Sequence, residues 1–530
     1  MNLNVGIVGH SRTWEALLEQ EGVPNAPVTG SAVPDDFSAI VSGDEVHDHD
    51  LTIMRDYLFK GGAVLCSAKV YAEIRQTTYN QEFIRFLVSE STSPFANAGL
   101  VDIQSRGRIS WNANQLKTDR NTFSAHKGVF GNGHIIALPF DVAEMVQDGR
   151  TSTKSFYSPE RRLPFEHVST VSRGGLRKIV ARALELLHHH RGLPYVHLWY
   201  YPSDARTVFA FRIDTDHGRP GEIDELYRTV ASCDIPASWF LDVKSQQLYL
   251  SMFSTMVHQE LGVHCFEHRV LPDAAGNEAN IRQALTVLRG ADIKPEGYAA
   301  PYGTWSDAMG EAVKRCGFSY SSEFGYDYDN LPSYPLVGNE CSPVLQVPIH
   351  PVSIGSLRRQ GYSEDHMKRY FDFVTGQKLA CREPLIFYHH PRDGHPEVLK
   401  HLFALAKQQR IAMTYFGEYA TWWKRRLQMK PGIGMRGTTI RVSANKGPGS
   451  AWLRISRPNG TEAFSPIQEE LNLDALSWES RPLPFALPPD YTRSRKFNYR
   501  IPLTKSVDLV TRTIRIGLNV GGGNRRTRLQ

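Results

Sequence analysis

The sequence predicts a multidomain α/β protein, with an open α/β sheet at the N-terminus, a second strand-and-helix region in the middle and an antiparallel β region at the C-terminus. Three observations carry this expectation. The chain has 530 residues, more than one typical domain holds. Apolar strand-like segments alternate with helical segments over residues 1–195 and again over 196–428. After Lys430-Pro431-Gly432 the pattern changes, over 429–530, to short period-two segments separated by Gly, Pro and Asn.

In the first region, residues 5–8 (Val-Gly-Ile-Val) read as a buried strand and 37–42 (Phe-Ser-Ala-Ile-Val-Ser) as another. A helix over 50–59 leads to Gly61-Gly62 and an apolar strand at 63–66, and the turn Gly131-Asn132-Gly133 precedes a strand at 134–139. A helix over 176–187 closes on His188-His189-His190, where imidazoles suit the negative end of the helix dipole. The layout resembles the glutamine-amidotransferase-like domains, in particular their non-catalytic branch. Active members hold a cysteine on a sharp turn between small residues. Cys66 lies instead in Val-Leu-Cys-Ser-Ala-Lys, without flanking glycines and without a matching His-Glu pair. A buried strand-end thiol is the expectation.

Bulk properties narrow the function classes. Composition is 41% apolar and 22% charged, ordinary for a globular protein. No run approaches the roughly 18 apolar residues of a membrane span. The first ten residues lack the charged start, apolar stretch and cleavage site of a signal peptide, from which a cytoplasmic location is expected. Six cysteines without a CxxC pair argue against a disulfide framework and cysteine-zinc knuckles. The net charge of +6 is uneven, since residues 431–530 hold 16 Lys/Arg against 7 Asp/Glu. No nucleic-acid partner is expected over most of the length.

The chemistry concentrates in the middle region. A strand over 208–213 ends in Asp214-Thr215-Asp216-His217-Gly218. Residues two apart on a strand project to one side, so Asp214 and Asp216 can share a site, and paired carboxylates repel unless a cation or proton intervenes. Taken alone, Asp-x-Asp also serves as a loop cap. Within 260–268, His264 and His268 are four apart, a spacing that on a helix puts both imidazoles on one face. With Asp216 they offer two nitrogens and one oxygen, the open set that a catalytic metal needs. Pro301-Tyr302-Gly303 follows a strand end, and residues 385–391 form an apolar strand that ends in His389-His390-Pro391. A histidine there can serve as a general acid.

In this order, five stretches resemble the polysaccharide deacetylases, carbohydrate esterase family four, over roughly residues 205–425. They are 211–216 (Phe-Arg-Ile-Asp-Thr-Asp, in the spaced-aspartate form of the atypical branch), 235–241, 260–268, 301–303 and 385–391. The resemblance implies an incomplete (β/α) barrel with its site at the C-terminal strand ends. It further implies metal ligation by Asp216, His264 and His268, and Asp214 as general base. The backbone N–H of Tyr302 would face the oxyanion, and His390, preferred to His389, would protonate the departing amine. The expected function is removal of an acetyl or formyl group from an N-acylated carbohydrate, with one divalent metal. Zinc is the first choice, and cobalt, nickel or iron also suit the donor set. Hydrolysis of a non-sugar amide or cyclic imide, or a catalytically silent sugar-binding scaffold, are the alternatives.

Two departures from the family pattern are visible. The arginine that usually steadies the catalytic aspartate is replaced by Ala299, and the fourth motif is unrecognisable around 346–350. Arg212, two residues before Asp214, is the candidate substitute. In the C-terminal region Arg441, Arg454, Arg500 and Arg515 each lie between two apolar residues. Alternation predicts one basic outer face for an anionic ligand.

Overall fold

The computed structural model describes residues 1–9, 11–337, 340–443 and 449–496. The N-terminal region holds a nine-stranded sheet. Its order is Asn25–Pro27, Val5–Val8, Ala39–Ser42, Ala63–Ser67, Gly133–Leu138, Phe123–Phe130, Gln115–Thr118, Tyr79–Val88 and Leu100–Ser110. The first five strands are parallel, as strand–helix alternation predicts, while the other four form an antiparallel extension outside that reading. Separate apolar clusters pack on its faces, one built on Trp14, Leu65 and Leu184, the other on Met54, Tyr57 and Ile135. The helix Arg173–His190 covers one face and carries all three terminal histidines.

The middle region is built on an eight-stranded parallel sheet, seven strands in one path and Ala412–Met413 paired beside Val208 and Phe209. The order along the path is Leu345–Gln346, Tyr320–Ser321, Gly297–Tyr298, Gln259–Cys265, Ala237–Asp242, Val208–Asp214 and Leu385–His389. This is a partial β/α barrel; a backbone hydrogen bond from His350 N to Ile386 O, 2.8 Å, links its two edges. Every residue of Val208–Asp214 and of Ala237–Asp242 is buried, which explains their near-continuous apolar sequence: such strands are covered on both faces. Helices such as Pro220–Ser232, which opens on proline, and Asp307–Cys316, capped by Ser306 and stopped by Gly317 at φ +77, return the chain between strands.

The C-terminal region is β-rich as expected, but it is woven into the rest. Gly432–Arg436, Thr439–Ser443 and Glu470–Asn472 form one sheet. Trp452–Ser456 pairs with Thr461–Pro466 and also with Tyr195–Leu198, from the junction between the first two regions. Near the other end of the chain, Leu3 N donates to Ile433 O at 2.8 Å, and Asn2 bridges to Gly434. One apolar core therefore runs from Leu3 through the central sheet to Leu473.

Among the described residues the expected arginine face is not formed. Arg441 and Arg454 belong to different sheets. Arg441 is exposed beside Glu470, whereas Arg454 is nearly buried between Glu462, at 2.7 Å, and Glu185, at 3.6 Å. Alternation did set Arg454 opposite to Leu453 and Ile455, but the helix Arg173–His190 supplies Glu185 to cover that side. Arg500 and Arg515 lie outside the described residues. Among the described residues no helix is long and apolar enough to cross a membrane.

Candidate active site and metal centre

All the chemistry-bearing residues named above for the middle region gather at the carboxyl ends of the parallel strands, where successive loops can converge. On Val208–Asp214, period-two alternation puts Arg212 and Asp214 on one side. Their side chains form a bidentate pair, Arg212 Nε to Asp214 Oδ1 at 2.7 Å and Nη2 to Oδ2 at 2.6 Å. The third guanidinium nitrogen donates to the carbonyl and, at 3.2 Å, to the hydroxyl of Ser322. Burial pushes the Asp214 carboxyl up, but Arg212 outweighs it and holds the group below the ordinary range. Ala299, at the position where the family pattern has arginine, is fully buried; its carbonyl accepts from His264 Nδ1 at 2.7 Å.

That hydrogen bond fixes the His264 ring so that Nε2 is turned inward. His264 Nε2, His268 Nε2 and an Asp216 oxygen all lie within 4.8 Å of one another. Asp216 Oδ1 is 3.0 Å from His264 Nε2 and 3.2 Å from His268 Nε2, yet this buried oxygen makes no well-directed hydrogen bond. The two imidazole nitrogens face each other at 3.1 Å. Two nitrogens and a carboxylate oxygen aimed at one point, with that oxygen left unsatisfied, form a donor set that fits a divalent cation.

The two histidines are brought together without a helix. His264 lies on the strand Gln259–Cys265, and His268 belongs to the loop after it. The loop is bent back by the Asn280 amide, which accepts from Glu267 N at 2.8 Å and donates to Glu267 O at 2.9 Å. Four-residue spacing brings the rings together here through a clamped turn.

His390 stands 3.5 Å from Asp216 Oδ2 through Nε2, and its Nδ1 is 3.0 Å from Asp393 Oδ2. Burial would depress this imidazole, but Asp216 and Asp393 together push its pKa up to about 9. Asp393 is in turn held by Arg358 at 3.0 Å, and burial notwithstanding, His390 keeps it down at about 2. His389 is fully buried on the strand paired with Ile213, and burial lowers its pKa to about 4. The structure thus brings His390 to Asp216, and leaves His389 in the core. Tyr302 occupies a left-handed turn, φ +60, with its half-exposed ring 4.7 Å from that of His268.

Several residues of this neighbourhood escaped sequence reasoning. Asp393 follows His390 by three positions, a spacing that could have flagged it. Asp242 ends the Ala237–Asp242 strand and meets His217, directly after Asp216, at 2.9 Å. Glu323 is fully buried, accepts from Ala300 N at 3.2 Å and from Gln346 Nε2 at 2.9 Å, and burial raises it to about 7. Nothing local in the sequence marks it.

No protein-family model matches the chain, and no curated protein matches it. Among solved structures it is similar to a putative polysaccharide deacetylase from Mycobacterium smegmatis, at 14% identity over 45% of this chain and 97% of that one, TM-score 0.37. A probable polysaccharide deacetylase from Pseudomonas aeruginosa aligns at 15% identity over 42% and 92%, TM-score 0.37. A family 4 carbohydrate esterase from Streptomyces lividans aligns at 12% identity over 39% and 92%, TM-score 0.30.

Proposed function

We propose that the central region, residues 196–428, is a metal-dependent hydrolase that removes an acetyl or formyl group from the nitrogen of a sugar or glycan precursor. One observation carries the reading: Asp216, His264 and His268 converge within 4.8 Å, and His390 stands 3.5 Å from Asp216. A divalent cation held by Asp216, His264 and His268, zinc by preference, would supply an activated water and positive charge for the acyl oxygen.

The remaining work falls to side chains of this chain. Asp214, kept ionised by Arg212, is the base that accepts the proton of the attacking water. His390, held on its other nitrogen by Asp393, delivers a proton to the departing amine. The backbone N–H of Tyr302 is assigned to the oxyanion, as the resemblance implies, and its ring lies beside that of His268. Residues 1–195 are read as a non-catalytic, amidotransferase-like domain. In support, Cys66 is buried and burial drives its thiol strongly up, away from the thiolate a nucleophile needs.

The test is elemental analysis of purified protein together with acetate and formate release from N-acylated glucosamine oligomers. Stoichiometric metal and acyl release that stops on chelation are expected. Bound metal without release of either acid from any oligomer would refute the deacylase reading.

A further inference from the structure

Beside the metal centre lies a second histidine–carboxylate pair that the mechanism above leaves unused. His217 follows Asp216 and sits in the left-handed region at φ +55. Non-glycine residues adopt that conformation uncommonly, Asn, Asp and His more often than most. The turn that enforces it is tight: Gly218 N donates back to Thr215 O at 2.6 Å, and the Gln246 amide donates to Gly218 O at 2.9 Å. A side chain at Gly218 would meet Pro391 at 3.2 Å, so this turn is wedged against the loop that carries His390.

Asp242 is committed to the same turn. Its carboxylate is 1% exposed and takes both the backbone N–H of His217, at 3.3 Å, and the ring Nδ1, at 2.9 Å. Its own N–H is held by Thr215 Oγ1 at 2.8 Å. With Nδ1 engaged by a carboxylate, the imidazole has Nε2 left for a partner. The His217 side chain is 56% exposed, and Nε2 has no hydrogen-bond partner among the described residues. The ring lies 5.4 Å from that of His268, edge to face, and Tyr302 meets His268 in the same manner. Asp216 turns Oδ1 to His268 and Oδ2 to His390.

We propose that His217 is a substrate-contacting residue whose Nε2 hydrogen-bonds a ring hydroxyl of the N-acylated sugar, with Asp242 as the positioning residue that holds it there. The assignment rests on the deacylase reading and deepens it: the site recognises the hydroxyl-bearing ring as well as the acyl group. Imidazole suits a hydroxyl because either partner can donate. A buried carboxylate behind the ring fixes its orientation at little entropic cost on binding.

The experiment compares the metal-loaded protein with His217→Ala, His217→Asn and Asp242→Ala, on tri-N-acetylglucosamine and on an aryl acetate that has no ring hydroxyl. Asn tolerates the left-handed turn and so guards against a simple folding defect. The expected result for His217→Ala is a KM about tenfold higher on the oligomer, the loss of one hydrogen bond. The change in kcat should be under threefold, metal content should be retained, and the KM effect on the aryl acetate at least fivefold smaller. His217→Asn should follow His217→Ala, and Asp242→Ala should raise the oligomer KM in the same direction. Turnover by the unmodified protein with an unaltered oligomer KM in His217→Ala and His217→Asn would overturn this assignment alone. Equal losses on both substrates would also overturn it, since the residue would then act on the acyl chemistry. If the unmodified protein neither hydrolyses nor binds the oligomer in a calorimetric titration, the functional reading falls and this one with it.

Discussion

Replacing Arg212 with Met tests how the candidate base is kept ionised. Arg212 and Asp214 are 1% and 3% exposed, so solvent screens their pair very little. Two charge-assisted hydrogen bonds, at 2.7 and 2.6 Å, would be lost together. Breaking a buried ion pair from one side costs about 3–5 kcal/mol. Asp214 must then either remain charged against that cost or take up a proton, and burial, the largest influence on it, favours the proton. Losing a general base lowers turnover by about 10²–10⁴-fold, and a fall of at least about 10²-fold at neutral pH is expected. The acidic limb of the rate profile should move to higher pH. The stability sign follows from the depressed carboxyl: its contribution is present above the unfolded value and lost as pH falls through the folded one. Unfolding curves of the variant and the unmodified protein should therefore diverge at neutral pH and converge below about pH 4. Arg212→Lys, which keeps charge but not the fork, should recover only part of the rate. The assay is acetate release at saturating substrate, with metal measured on the same preparation. Arg212→Met with full metal and turnover within threefold of the unmodified protein would refute the reasoning.

Other outcomes follow from the same geometry. His264→Ala or His268→Ala should lose most bound metal, whereas Asp214→Asn should keep it and lose turnover; metal loss in Asp214→Asn but not in Asp216→Asn would reverse those two roles. Glu323 is raised to about 7, so its contribution to stability is full below its unfolded value and declines as pH rises through 7. Glu323→Gln should remove up to roughly 3 kcal/mol of that decline, read as a flatter urea-midpoint profile between pH 5 and 8. Rotation of the Gln346 amide would satisfy the new group, because Gln346 Oε1 is buried without a partner. Arg454→Met should destabilise in urea by less than the about 3–5 kcal/mol of a buried pair broken from one side, since Arg382 still meets Glu462 and Arg182 and Arg481 still meet Glu185. Arg441→Met, at an exposed pair with Glu470, should change stability by less than about 1 kcal/mol.

What could be read in the sequence was whatever depends on short range. The run Val-Phe-Ala-Phe-Arg-Ile-Asp is apolar because its strand is covered on both faces, and alternation along it was enough to bring Arg212 alongside Asp214. The parallel strands at 5–8, 39–42, 63–67 and 133–138 of the first region were likewise legible as glycine-punctuated alternation, though their order was not. The antiparallel strands between 79 and 130 were missed because their polarity is irregular. Tyr79–Val88 alternates poorly and its pairing slips between Ile84 and Phe86. The spacing of His264 and His268 could not show the turn that joins them, which the Asn280 amide, 13 positions beyond Glu267, holds. Arg454 was read with the correct side but the wrong surroundings, because Glu185 comes from another region. The same limit hid Asp242 and Glu323, whose partners are set by the packing of neighbouring strands.

The hydrogen bond between Leu3 and Ile433 has a consequence for how the protein is made. On a ribosome adding about 5–20 residues per second, some 20–90 seconds separate the emergence of these two partners. Through that interval the first strand of the nascent chain can pair with its neighbours at 25–27 and 39–42, but the patch around Leu3 waits uncovered. Chaperone demand should be highest in that window, and a synonymous-codon variant that slows translation after residue 300 should yield more aggregate without any change in the finished molecule.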